Sequence, residues 1–202
     1  MVTETASPTA EVSLQRVPSY LIYETLNGRP LYRKGYKDVL SNQKTPGEVI
    51  GCSDLQAIIV SALHLYLATH ANRKTYWVVT NEPGLHIKLG DNIVNDIAFY
   101  EKEKVTVKGK FFDVAPKVVV EVDIKIDLEE FPAKEQDYIY EKTESMLAFG
   151  TERVIWITTK SQKVFVATKD EPWLTLNWDT TIPVIDNLTL NITDLLTEEG
   201  VI

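Results

Sequence analysis

The 202 residues are 44% hydrophobic and 9% aromatic, enough apolar material for one domain with a sizeable core, and 29 acidic against 21 basic side chains give a formal net charge of −8 that argues against strong non-specific binding to nucleic acid. Such a total still allows a local basic rim, because acids that bind metal are counted in it. The single cysteine, Cys52, rules out an internal disulfide or a multi-cysteine zinc site, and His64, His70 and His86 are too scattered for a histidine metal cluster.

No apolar run approaches the ~20 residues that span a bilayer, and no basic region followed by an apolar block opens the sequence, so the expectation is a cytoplasmic protein without membrane contact. Residues 1–18, rich in Thr, Ser, Glu and Ala without an apolar period, read as a flexible arm ahead of one domain over 19–202. Residues 20–24 have strand character, and Asn27-Gly28 turns the chain into a second short strand, an N-terminal β-hairpin. Residues 36–40 suggest a helical turn, and 41–47 a loop. Leu55, Ile58, Ile59, Ala62, Leu63, Tyr66 and Leu67 recur at three- and four-residue spacings, which predicts a helix over 53–70 capped by Ser53 or Asp54.

Strands follow at 75–80, 85–89 and 92–100, with a charged connection over 101–112. Residues 117–127, Lys-Val-Val-Val-Glu-Val-Asp-Ile-Lys-Ile-Asp, alternate so that Val118, Val120, Val122, Ile124 and Ile126 share one face while Glu121, Asp123 and Lys125 share the other. A helix over 134–149 ends at Gly150, and strands at 153–159, 163–168, 173–178 and 182–185 precede a short helical turn near 190–196. Two main helices among many strands predict a mixed α/β or α+β sheet flanked by those helices.

Three places invite chemistry. Asp96 sits in an apolar strand, where an unpaired ionised acid costs several kcal/mol, so it needs a lysine, backbone N–H groups or a shared metal ion. Lys142 lies on the same stripe as Ile139 and Met146, either snorkelling outward or aiming its ammonium at carboxylates on the sheet. Glu121, Asp123 and Lys125 complete the set; acids at the ends of adjacent strands suit magnesium, and a lysine beside a metal-bound water suits phosphodiester cleavage.

At these positions the sequence resembles the PD-(D/E)xK, or restriction-endonuclease-like, nucleases, through Asp96 and Asp123-Ile124-Lys125. It resembles more closely the Uma-type restriction endonuclease family of bacteria, through Asn95-Asp96-Ile97-Ala98-Phe99, the Pro116 to Val122 strand ending in Glu-Val, the helix with Glu141-Lys142, Gly150, and Val154-Ile155-Trp156-Ile157. Gly47-Glu48-Val49-Ile50 ahead of the first long helix fits as well. Where that family has Ser-Pro-Ser after Glu-Val, this chain has Asp123-Ile124-Lys125, so two lysines and two second acids compete for the same roles.

The resemblance implies a restriction-endonuclease-like fold and a metal-dependent endonuclease acting on DNA, as a homodimer where both strands of a duplex are cut. It implies Asp96 with Glu121 or Asp123 as ligands of Mg or Mn, the Ile124 carbonyl as a further ligand, and Lys125 or Lys142 as the catalytic lysine. Glu48 joins the metal site on that reading, or simply favours a helix start. A non-catalytic binding module of the same fold is the alternative. Glu82, His64 and His86 read as turn, surface or structural residues, and the four tryptophans as core.

Overall fold

The computed structural model describes residues 17–129 and 131–202, so the arm expected over 1–18 lies almost wholly outside the described residues. Asn27 and Gly28 take positive φ of 51° and 74°, as a two-residue hairpin turn requires, and join β1 (Ile22–Leu26) to β2 (Arg29–Tyr32). The expected hairpin therefore opens the fold. After the short α1 (Tyr36–Leu40), the Ser53 hydroxyl accepts the Gln56 N–H at 3.2 Å and starts α2 (Asp54–His70), which buries Ile59, Leu63 and Leu67.

Next come β3 (Tyr76–Val79), β4 (Gly84–Lys88), β5 (Asp91–Val94), β6 (Ile97–Glu101) and β7 (Val118–Val122). Then α3 (Glu135–Phe149) ends at Gly150, whose φ of 124° would strain any side chain and where an added Cβ would stand 3.2 Å from that of Ala115. The chain finishes with β8 (Arg153–Thr158), β9 (Lys163–Thr168), β10 (Leu174–Asn177), β11 (Ile182–Ile185), β12 (Leu188–Leu190) and α4 (Ile192–Glu198). The architecture is mixed α+β, as expected. Among the described residues no helix is long and apolar enough to cross a membrane.

The main sheet has the order β10-β9-β8-β7-β6-β3, in which β7 and β8 pair in parallel across the α3 crossover and the other neighbours run antiparallel. A second sheet has the order β2-β1-β5-β4, and β11 pairs with β12. Because β7 lies at the centre of the main sheet, all five of its residues are buried. Val118, Val120 and Val122 pack with Ile97, Phe99 and the apolar stripes of α2 and α4; Val119 packs on the other side with Ala98, Tyr100 and the α3 residues Ile139 and Met146. Trp156 and Trp178 are buried, while Trp77 and Trp173 are half-buried.

Two expectations are corrected by this topology. The single strand over 92–100 is two strands in different sheets, β5 and β6, because the chain turns at Asn95-Asp96 and the Asp96 Oδ2 accepts the Val122 N–H at 2.8 Å where a continuing strand would offer a carbonyl. The alternation over 117–127 stops at Val122. Asp123 has φ of 55°, which breaks the period of two, and the following segment instead pairs with the chain after β2: the Lys34 N–H donates to the Lys125 carbonyl at 2.9 Å, and Arg33 bridges Ile126.

Candidate active site

Asp96 and Glu121 come together because β6 and β7 pair Ile97 with Val120, which sets the two acids opposite each other one step further on. Both are on the α3 side of the sheet, by alternation from Ala98 and Val119, and each is 3% exposed. From α3, Lys142 reaches down onto them. Its Nζ lies 3.0 Å from Glu121 Oε1 and 3.1 Å from Glu24 Oε2, and donates to the Val94 carbonyl at 2.7 Å, with 1% exposure.

Glu24, on β1, is a member that sequence reasoning missed. It accepts from the Tyr138 hydroxyl at 2.6 Å and from the Val94 N–H at 3.1 Å. A signal was present, since Glu24 is an acid in an otherwise uncharged short strand, with Leu26 two residues on, and has the same oddity that marked Asp96.

Lys125 sits on the groove side of this cluster. Its ammonium pairs with Asp96 Oδ1, lies 3.5 Å from Glu82 Oε1, and stands 5.9 Å from the centre of the Tyr23 ring. Glu82, expected to serve only its turn, therefore contributes to the site's charge. Asp123 does not join it. The left-handed backbone at Asp123 turns its carboxylate to Thr159, which donates its N–H at 2.8 Å and its hydroxyl at 2.6 Å. Glu48 is likewise engaged elsewhere: its Oε2 accepts the Thr45 N–H and hydroxyl, both at 2.7 Å, which lower its pKa. Ile124 lines the groove next to Lys125.

That groove has a volume of about 1180 Å³, with Arg33, Lys34, Lys125, Lys134 and Lys160 interleaved with Glu48, Asp123, Asp127, Glu129 and Glu135 along its walls. Asp96, Glu121 and Lys142 are not among its lining residues. The buried cluster lies beneath a rim of mixed charge.

Burial pushes the Glu121 carboxyl up to about 8; Lys142 pulls it back, while Asp96 and Glu24 raise it further. For Lys142, burial pulls the ammonium down, but Glu121 and Glu24 outweigh it and the net direction is up. These directions are compatible. Leaving aside the exposed Glu82, two ammoniums among the three buried carboxylates, Glu24, Asp96 and Glu121, leave one excess negative charge, and a low-dielectric site relieves it by protonating Glu121, the acid that accepts no backbone N–H or hydroxyl donor. Lys125 is also raised, burial opposing and Asp96 prevailing. Tyr138 and Tyr23 are held neutral by burial above all.

Among the described residues no group of three or more His, Cys, Asp or Glu side chains can hold a metal ion. Magnesium asks for less, because it keeps several waters and takes only one or two carboxylates. Asp96 and Glu121 can supply those. Glu121 Oε1 is buried and makes no hydrogen bond beyond its ion pair with Lys142, and the buried side-chain amide of Asn95, beside Asp96, makes none at all.

No family model and no curated protein matches this chain. Among solved structures, it is similar to a protein of DUF820 from Anabaena variabilis ATCC 29413 described as a putative nuclease, with a TM-score of 0.61 over 86% of this chain and 89% of that one, at 17% identity. A likeness at that identity shows a common fold, and any activity has to be argued from the site.

Proposed function

We propose that the chain is a metal-dependent endonuclease that hydrolyses phosphodiester bonds of DNA through a PD-(D/E)xK site, of the Uma type that its motifs resemble. The observation that carries the reading is the opposition of Asp96, just ahead of β6, and Glu121 on the neighbouring β7, with the Lys125 ammonium between them and a groove. The shared fold with a protein described as a nuclease supports it.

Asp96 and Glu121 are the residues that would hold magnesium or manganese, with the Ile124 carbonyl as a further ligand; Asp123 and Glu48 drop out of the set because Thr159 and Thr45 engage them. The metal, when bound, supplies a Lewis acid for the phosphoryl oxygen and a water of lowered pKa. Lys125 is the catalytic lysine of this reading, because it alone of the two lysines lines the groove; it orients the attacking water and stabilises the charge that develops on the phosphate. Lys142, held by three acceptors in the core, acts through Glu121 and is a positioning residue. Cutting both strands of a duplex calls for two sites and so for a homodimer.

The test is conversion of supercoiled plasmid to nicked and linear forms with magnesium, manganese or chelator, in the wild type, Asp96→Asn and Lys125→Ala. Metal-dependent cutting lost in both variants is the expected result. Cutting unaffected by either would refute the assignment. One observation favours the alternative of an inactive binding module: Lys125 already neutralises Asp96. That alternative predicts no cutting by the wild type at any metal concentration.

A further inference from the structure

Lys125 sits where a cation is strongly held. Its ammonium contacts the carboxylates of Asp96 and Glu82 and faces the Tyr23 ring, and Glu121 adds a favourable field to it. The side chain is 15% exposed and lines the groove, whereas Asp96 and Glu121 behind it are almost wholly covered. Its backbone is fixed, because the Lys125 carbonyl accepts the Lys34 N–H and the next residue bridges Arg33. Only the flexible four-carbon stem is free to move. Lys142 has no such freedom, with three acceptors around it and no face on the groove.

We infer that Lys125 is the resident counter-cation of the Asp96–Glu121 pair, standing at the seat of a divalent metal, so that metal entry and withdrawal of this side chain into the groove are one coupled event. The inference rests on the nuclease reading and adds a control to it. Two cations cannot share the Asp96 carboxylate without mutual repulsion, so the lysine-in form lowers the apparent metal affinity by the fraction of molecules it occupies. The withdrawn ammonium enters the groove, where the phosphate of a polynucleotide would receive it. Metal and polyanion then favour each other's binding by the same factor. Metal loading is thereby coupled to the presence of substrate, and the free protein is a poor metal binder.

The experiment is a calorimetric titration of the full chain with manganese alone, for the wild type, Lys125→Met, Asp96→Asn and the double variant. The expected result is binding at least about tenfold tighter in Lys125→Met than in the wild type, abolished by Asp96→Asn in either background. Equal or weaker binding by Lys125→Met, with wild-type binding that still depends on Asp96, would overturn the inference and leave the nuclease reading standing. No manganese binding by any form would end both. Should Lys125→Met fold poorly, the wild type suffices: amine acylation read by mass spectrometry should modify Lys125 several-fold faster with saturating manganese while Lys142 stays protected. Labelling of Lys125 that ignores manganese overturns the inference in the same way.

Discussion

Replacing Glu121 by Gln keeps the shape of the buried cluster and removes its one excess acid, so it separates what the site costs the fold from what it does. Burial raises the Glu121 carboxyl from 4.5 to about 8. Between those values the folded chain keeps a proton that the unfolded chain has released. The unfolded state then binds fewer protons, and stability falls as pH rises, by about 1.4 kcal/mol per pH unit at the steepest and on the order of 5 kcal/mol across the window.

The penalty is absent below about 4.5 and complete above about 8. The raised Lys142 and Lys125 act elsewhere, contributing stability that is lost only in strongly alkaline solution. Urea unfolding followed by tryptophan fluorescence from pH 5 to 9 measures the wild type against Glu121→Gln, and the difference cancels groups common to both. The variant should come close to the wild type near pH 5, gain on it up to about pH 8 and level off beyond, while losing plasmid nicking at every pH. A constant difference across the range, or a gain towards acid, would refute the account of the buried charge.

Lys142→Met removes the cation from the buried carboxyl groups of Glu24 and Glu121 and should cost about 3–5 kcal/mol in urea unfolding, a cost that a simultaneous Glu121→Gln should recover only in part, because Glu24 keeps its uncompensated charge. Asp123→Ala breaks two hydrogen bonds to Thr159 at a left-handed residue and should lose about 1–3 kcal/mol, with nicking per folded molecule within a few-fold of wild type. Loss of activity as complete as in Asp96→Asn would return Asp123 to the metal site. Ser53→Ala removes the cap of α2 and should cost about 1 kcal/mol without affecting nicking.

Periodicity made legible most of what packs. The apolar spacing of α3 and of α2 from Ile59 onward, with Leu55 and Ile58 left exposed, and the β-rich runs of β7, β8 and β9 survive folding, because each is long enough for burial to repeat along it. Asp96 and Lys142 were legible for the same reason in reverse, as charges at positions the pattern reserves for apolar side chains, and Glu121 as one of three charges on the opposite face of an apolar strand. What period-two reasoning could not see was the place where it ends. One left-handed residue, Asp123, turns a carboxylate from the cluster to Thr159, and Lys125 returns to the cluster through pairing with residues almost a hundred positions earlier, a partner no local pattern names. Glu24 and Glu82 escaped because their partners lie on distant elements: Glu24 accepts from Val94 on β5 and Tyr138 on α3, and Glu82 pairs with Lys125 beyond β7.

The Val122 amide, held by a carboxylate oxygen of Asp96 instead of a carbonyl, gives the protein a built-in spectroscopic reporter. Charge-assisted hydrogen bonds move an amide proton downfield and slow its exchange with solvent, and both effects fade when the acceptor is neutralised or shared. A single cross-peak from the end of the central strand therefore follows the hydrogen bond to Asp96, and any ion that competes for that carboxylate, without a label or a substrate.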